Sequence, residues 1–265
     1  AEYRQLKLSG RLDAARWKPG KANPPHRFWN SDVAKWIEAC AYALMKRDNA
    51  SWRRTIDRYV NDLVRMQLPD GYVNDHYCLV EPDKRWTNLR DHHELYCAGH
   101  LMEAAVAYYE ATGKRRFLDA MMRCADHIDG TFGRGRGKRR GYPGHEEIEL
   151  ALVKLARLSG ERTHLRLAEY FVRERGRAPH YFDTEARARG EAPRGADAYA
   201  YNQAHVPVAR QADAVGHAVR ALYLYSGMAD VAVETGDREL LDACRRLWGS
   251  ITTKRMYVTG GVGDT

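Results

Sequence analysis

Three histidines occupy repeated positions in the chain: His93 within His92-His93-Glu94-Leu-Tyr-Cys97, His145 directly after Gly144, and His217 directly after Gly216. Each stands where the apolar periodicity predicts the start of a largely apolar helix. A helix N-terminus carries partial positive charge, so it disfavours the imidazolium and keeps the ring neutral. A neutral imidazole donates at one nitrogen and accepts at the other, which suits recognition of uncharged hydroxyl groups. Any one of the three also reads as a capping or core residue. Three at equivalent places in separate repeats predict one shared polar pocket.

Other chemistry is weaker. His93-Glu94 begins like the HExxH metalloprotease motif, but Cys97 stands where the second histidine belongs. His93 and Cys97 are one helical turn apart, yet no third ligand follows at a convincing spacing, so no metal is assigned to this chain. Candidate carboxyls for acid–base work are Asp32, Asp75, Glu81, Asp91, Glu94, Glu146, Glu147 and Glu149. Cleaving a glycoside needs two carboxyls, or a carboxyl and another nucleophile, facing each other across the bond. Glu146 and Glu147 also read as charges compensating the dipole of a helix's first turn. No GxSxG, P-loop or GxGxxG occurs, and the glycine-rich Thr259–Thr265 stretch lacks the Lys-Ser/Thr pair of a phosphate loop, so it reads as a turn.

The elements that must position these residues are helices. In Ser31–Arg47, Val33, Trp36, Ile37, Cys40, Ala41 and Leu44 form one apolar stripe, with Ser31 as the expected N-cap. Ser51 is expected to cap Ser51–Gln67. Further helices are predicted over Leu89–Ala111, Arg115–Ile128, His145–Leu158, Thr163–Glu174, Ala212–Glu234 and Arg238–Ser250. Three joints share one form: Ala111-Thr-Gly-Lys-Arg115, Leu158-Ser-Gly-Glu-Arg162 and Glu234-Thr-Gly-Asp-Arg238. In each, glycine ends a long helix in the left-handed conformation and a second helix starts at once. First helices are apolar around most of their circumference, and second helices carry one charged face. A buried inner ring inside an amphipathic outer ring is an α/α barrel; an open superhelical stack of hairpins is the competing architecture. Gly176–Gln211 breaks the pattern. Tyr181, Phe182, Tyr199 and Tyr201-Asn-Gln-Ala-His205 predict a packed loop at the barrel mouth, with Ala186–Ala196 reading equally as ordered or disordered.

Composition bounds the rest. The chain has 265 residues, with 43 basic against 35 acidic ones for a net charge of +8. Its mean hydropathy is −0.64, and no run approaches the ~18 apolar residues of a spanning helix. No membrane association is expected. The polar start, Ala1-Glu2-Tyr3-Arg4-Gln5, shows no signal-peptide core. The arginines are dispersed, their densest run (Arg134–Arg140) is broken by glycines, and no nucleic-acid-binding motif accompanies them, so no nucleic-acid partner is expected. Five scattered cysteines, an odd number, fit free thiols in a reducing, cytoplasmic setting.

Several stretches in order along the chain together resemble glycoside hydrolase family 127, typified by β-L-arabinofuranosidases. They are Phe28-Trp-Asn-Ser-Asp-Val-Ala-Lys-Trp-Ile-Glu38, Pro69-Asp-Gly-Tyr72, Arg85-Trp-Thr-Asn-Leu-Arg90 and His93-Glu-Leu-Tyr-Cys-Ala-Gly-His100, followed by Gly144-His-Glu-Glu-Ile-Glu-Leu-Ala-Leu152, Gly216-His-Ala-Val-Arg220 and Tyr257-Val-Thr-Gly-Gly261. The resemblance implies an all-α (α/α)6-type barrel followed by β-sandwich domains, and retaining release of terminal β-L-arabinofuranosyl groups from an arabinose-containing oligosaccharide or glycoconjugate. It implies a zinc-bound cysteine nucleophile and a glutamate acid/base. The family's sugar-contacting histidines correspond to His93, His145 and His217, with Trp86 and Tyr142 expected to shape the pocket.

The family's acid/base glutamate, zinc ligands and nucleophile all follow the Thr-Gly-Gly stretch, and the sequence in hand stops at Thr265. Residues 1–265 are therefore expected to be a single, partial barrel domain of about four hairpins, either a fragment of a longer protein or a truncated relative, with no catalytic residue or zinc ligand of its own, inactive alone, and marginally stable or self-associating through the exposed apolar flanks of its last inner helix. The alternatives are another α/α-barrel sugar enzyme, such as an unsaturated glucuronyl hydrolase or an epimerase, and a non-catalytic carbohydrate-binding protein.

Overall fold

In the computed structural model, which describes residues 2–263, every regular element among the described residues is helical, apart from two isolated β-bridges joining Phe132 to Arg139 and Met256 to Val262. The last two residues of the glycine-rich C-terminal stretch, Asp264 and Thr265, and the initial Ala1, lie outside the described residues. The chain forms two compact units, Ala1–Trp86 with His92–Gly130, and Thr87–Asp91 with Thr131–Thr265.

The first unit holds α1 (Glu2–Leu8), α2 (Trp29–Lys46), α3 (Ala50–Met66), α4 (Asp75–Leu79), α5 (Glu94–Thr112) and most of α6 (Arg116–Thr131). Helix α5 is buried at every position from Glu94 to Tyr108. Its Ala98, Gly99, Ala104, Ala105 and Ala107 are small enough for α2 to pack closely on it. Helices α3 and α6 bury one face each, as amphipathic outer helices should.

Two expected caps are corrected. Helix α2 starts at Trp29, so Ser31 lies inside its first turn and its hydroxyl donates to Phe28 O at 2.8 Å. The N-cap of α3 is Asn49, whose Oδ1 accepts from the Ser51 and Trp52 amides at 3.0 Å each. Asparagine is among the best N-cap residues because its short carbonyl reaches these otherwise unpaired amides.

The second unit holds α7 (Ile148–Ser159), α8 (Arg162–Glu174), α9 (Tyr181–Ala188), α10 (Ala218–Thr235) and α11 (Arg238–Ser250). Helix α10 packs on α7, α8 and α11. Gly227 on α10 lies so close to α7 that a Cβ there would sit 2.8 Å from Glu149 Cβ. All three predicted joints are present: Gly113, Gly160 and Gly236 cap α5, α7 and α10 in the left-handed conformation, with φ of 71°, 77° and 72°. The fold class is all-α, with the helical hairpins of a barrel-type fold. No helix among the described residues is long and apolar enough to cross a membrane.

The irregular region contains α9 and a 3-10 turn, Asp197–Asn202. Phe182 and Tyr199 are fully buried there, in edge contact at 5.3 Å. Ala186, at the start of the stretch readable as order or disorder, lies in α9 and is buried.

Candidate active site

His145 and His217 come together in the second unit. Their ring centroids are 5.9 Å apart with planes at 60°. Helix α10 starts at Ala218 with His217 at its N-cap position, six residues after the expected start at Ala212. Helix α7 starts only at Ile148, so His145 precedes it by three residues instead of opening it. What fixes His145 is the turn before the helix.

Glycine makes both turns possible. A Cβ on Gly144 would lie 2.1 Å from Arg90 O and 2.3 Å from Leu89 O, and the Gly144 amide donates to Leu89 O at 2.9 Å. Gly216 has a φ of 77°, and a Cβ there would lie 2.2 Å from Ala200 O. The intervening loop ties the two turns to each other. Asn202 Nδ2 donates to Gly144 O at 2.9 Å, Gln203 Nε2 donates to Val215 O at 2.8 Å, and the His217 amide donates to Tyr201 O at 3.3 Å. Helix α9 holds the Leu89–Arg90 segment: Glu185 accepts from the Leu89 and Arg90 amides at 2.8 and 2.9 Å.

The His145 Nδ1 lies 2.8 Å from the Glu146 carbonyl oxygen. A carbonyl only accepts, so Nδ1 carries a hydrogen directed at it. Tyr223 stands 6.2 Å from His145 and Tyr201 5.5 Å from His217, with the Arg220 guanidinium 4.6 Å from the Tyr201 ring centre. Imidazoles, phenol hydroxyls and a guanidinium make a hydrogen-bonding surface suited to hydroxyl-rich ligands.

A buried ion cluster lies beneath this surface. Arg175 has no exposed side-chain surface; its Nη1 is 2.8 Å from Glu146 and its Nη2 3.2 Å from Glu149, both carboxylates equally buried. The same guanidinium donates to Asn202 O and Pro143 O at 2.8 and 2.7 Å. Burial pushes Glu146 up to about 8, outweighing the attraction of Arg175, and neighbouring Glu149 adds to the rise. Tyr142 belongs to this cluster: it is 1% exposed, with Arg175 5.1 Å from its ring centre and Phe182 at 4.7 Å.

In the first unit, His93 is the N-cap residue of α5 and is half-buried between Phe28 at 5.4 Å and Tyr96 at 5.6 Å. Trp86 has a left-handed backbone, φ 58°. Its amide donates to both oxygens of Glu94, at 3.0 and 2.9 Å, and its indole donates to His127 Nε2 at 3.3 Å. The Tyr72 hydroxyl also donates to Glu94, at 2.6 Å. Glu94 therefore holds the loop before α5, a structural use that explains the failed metalloprotease pattern. Trp86 is 5% exposed and packs edge-on against Tyr72 at 5.0 Å.

The five cysteines are all free. Cys97, wholly buried, donates to Arg27 O at 3.6 Å, and burial holds its thiol well above its usual range. Burial likewise pushes Cys124 up to about 12 and Cys40 and Cys78 up to about 11. A zinc-bound nucleophile needs the opposite, a stabilised thiolate. The cysteines present do not fit the zinc centre that the resemblance implies, and no reaction step is derived through it. Buried ligand-type groups of other kinds are present: His100 Nδ1 lies 3.9 Å from Glu103 on α5, and Glu147 is buried in the second unit.

Sequence reasoning missed Arg175, Asn202, Gln203 and Glu185. The segment Tyr201–His205 drew notice for its aromatic and amide content, but nothing local marks an arginine at a helix end as the centre of a buried cluster.

A helical scaffold that gathers imidazoles, tyrosines and an arginine over a buried ion cluster belongs with carbohydrate-active proteins. The profile described as "Beta-L-arabinofuranosidase, GH127 catalytic domain" matches residues 4–265, and the chain belongs to that family. It is 40% identical over 250 residues to the non-reducing end beta-L-arabinofuranosidase of Bifidobacterium longum subsp. longum, covering 90% of this chain and 37% of that protein. Among solved structures, a GH127 beta-L-arabinofuranosidase from Geobacillus stearothermophilus T6 matches with a TM-score of 0.93 and 50% identity, over 98% of this chain and 43% of that one. A second GH127 beta-arabinofuranosidase matches at a TM-score of 0.87 and 35% identity, over 99% of this chain and 40% of that one. The chain thus spans about two fifths of the length of these glycoside hydrolases.

Proposed function

We propose that these residues form part of the sugar-holding wall of a retaining β-L-arabinofuranosidase. The observation that carries this is the pairing of His145 with His217, each held by a glycine turn that a single loop fastens. In this reading the two imidazoles hydrogen-bond hydroxyls of one terminal arabinofuranosyl group. The resemblance makes His93, in the first unit, a sugar-contacting histidine as well. Tyr201, Tyr223 and Arg220 border the ring. Trp86 and Tyr142 act from behind, by fixing the Glu94 loop and the Arg175 cluster.

Family membership favours this reading over a glucuronyl hydrolase or an epimerase. In this reading residues 1–265 bind and orient substrate. A cytoplasmic, reducing setting accords with five free thiols. Val219, Leu222 and Val233 on α10 and Trp248 on α11 are exposed, which supports self-association of the 265-residue chain.

The test is steady-state kinetics of the full-length polypeptide on an aryl β-L-arabinofuranoside. His145→Ala should lower kcat/KM by about tenfold to a thousandfold, as expected where a buried polar partner is lost. The first sugar released, followed by NMR, should be the β anomer. Unchanged kinetics in the variant, or an α product, would overturn the reading.

A further inference from the structure

A cleft of about 300 Å³ opens in the second unit, with Arg140, Arg173, Arg177, Arg210 and Glu239 among its lining residues. The arginines come from three separate places: the 134–140 loop, the end of α8 with the residue run after it, and the one-turn helix Val208–Arg210. Two are neutralised. Arg140 contacts Glu174 through Nε at 2.8 Å and Nη2 at 2.7 Å. Arg173 contacts Glu169 at 3.2 Å and Glu239 at 3.8 Å, and also pairs with Asp237.

Among the described residues, neither of the other two pairs with a carboxylate. Arg177 donates through Nε to Arg173 O at 2.6 Å, which fixes the guanidinium. The Arg210 segment is held by its own turn and by Arg246, which donates to Ala209 O at 2.6 Å. Two guanidiniums on anchored backbone, unpaired with any described carboxylate, thus line one concavity with two more arginines. Guanidinium forks match the spacing of oxygens on phosphate and sulfate.

We propose that this cleft binds a tetrahedral oxyanion, phosphate or sulfate, either as the free ion or as the ester on a sugar. Arg177 and Arg210 supply the direct contacts. Arg140 and Arg173, already paired, set the positive field and the shape of the walls. The site is independent of the histidine pair and of the function assigned to it.

Isothermal titration calorimetry of the 265-residue chain with inorganic phosphate, at constant ionic strength in chloride, tests the proposal. Saturable binding is expected, weakened about tenfold or more by Arg177→Ala and abolished by the Arg177→Ala/Arg210→Ala double variant. Arg245→Ala, removing an exposed arginine paired with Asp242 elsewhere on α11, should leave the affinity unchanged and control for charge alone. Glucose 6-phosphate and inorganic sulfate form the second arm: tighter binding of the sugar phosphate assigns the site to an ester, and equal binding assigns it to the free ion. No saturable heat, or binding that survives in a double variant whose circular dichroism matches the parent, overturns the proposal.

Discussion

His145 and His217, 72 positions apart in the chain, place their rings 5.9 Å apart at 60° because each follows a glycine pressed against a carbonyl. That contact makes the two imidazoles one unit. In full-length enzyme, His145→Ala, His217→Ala and the double variant should therefore show non-additive losses in kcat/KM, with a coupling of about 0.5–3 kcal/mol. A double-mutant cycle that closes to zero would mean that the rings act separately.

The glycines should be nearly irreplaceable. Gly144→Ala sets a methyl 2.1 Å from Arg90 O, and Gly216→Ala sets one 2.2 Å from Ala200 O in a left-handed backbone. Neither obstacle is a flexible side chain, so the turns must shift, at a cost of about 1–3 kcal/mol or more each. Urea unfolding of the variants should show this loss. By contrast, alanine at Gly160 meets nothing within 4 Å and incurs only its left-handed φ penalty of about 1 kcal/mol.

Glu146 should make stability depend on pH. Burial raises its folded value to about 8 against an ordinary 4.5, so the fold binds this proton more tightly than the unfolded chain does. The stabilisation is complete below about pH 4.5 and is lost as pH rises through about 8. Asp75, also fully buried and raised to about 8, acts in the same direction. Glu146→Gln, which keeps the shape and needs no proton, should flatten the decline between pH 5 and 8 measured by chemical denaturation. An unchanged slope would show that Glu146 is ionised in the fold.

Arg175 should be the most sensitive cation in the second unit. Arg175→Met leaves Glu149 buried without its guanidinium and should cost about 3–5 kcal/mol. Adding Glu149→Gln should restore part of that loss, because the stranded charge is then gone. A single variant within about 1 kcal/mol of the parent would show that water reaches the cluster.

The exposed apolar residues of α10 and α11 should govern association. Sedimentation velocity of the 265-residue chain is expected to show a dimer or larger species that Val219→Lys and Leu222→Lys, both on exposed positions, convert to monomer. A monomer at all concentrations for the parent would contradict this.

Much of the scaffold could be read from periodicity, because helix-ending glycine has a local cause. Gly113, Gly160 and Gly236 each end a helix for the reason their dipeptides suggest, and Arg238–Ser250 is reproduced residue for residue. Helix starts were harder to read. Serine at 51 and asparagine at 49 are both good caps for α3, and the Oδ1 of Asn49 takes the role by accepting from the Ser51 and Trp52 amides. His145 and His217 were legible as a repeated Gly-His pair. Their support was not: Gln203 acts through contacts 12 and 14 residues along the chain, and Asn202, Glu185 and Arg175 through contacts at least 26 residues away, which no periodicity encodes. Trp86 and Tyr142 were picked as pocket aromatics, and their burial against Glu94 and Arg175 shows why an aromatic near a site motif need not face the ligand.

The central claim is that His145 and His217 grip one sugar. Its most direct test is a titration of methyl β-L-arabinofuranoside into full-length protein with 15N-labelled histidine, following the imidazole resonances. Both residues should move together along one binding isotherm. Binding of the sugar that leaves both sets of resonances in place would contradict the account.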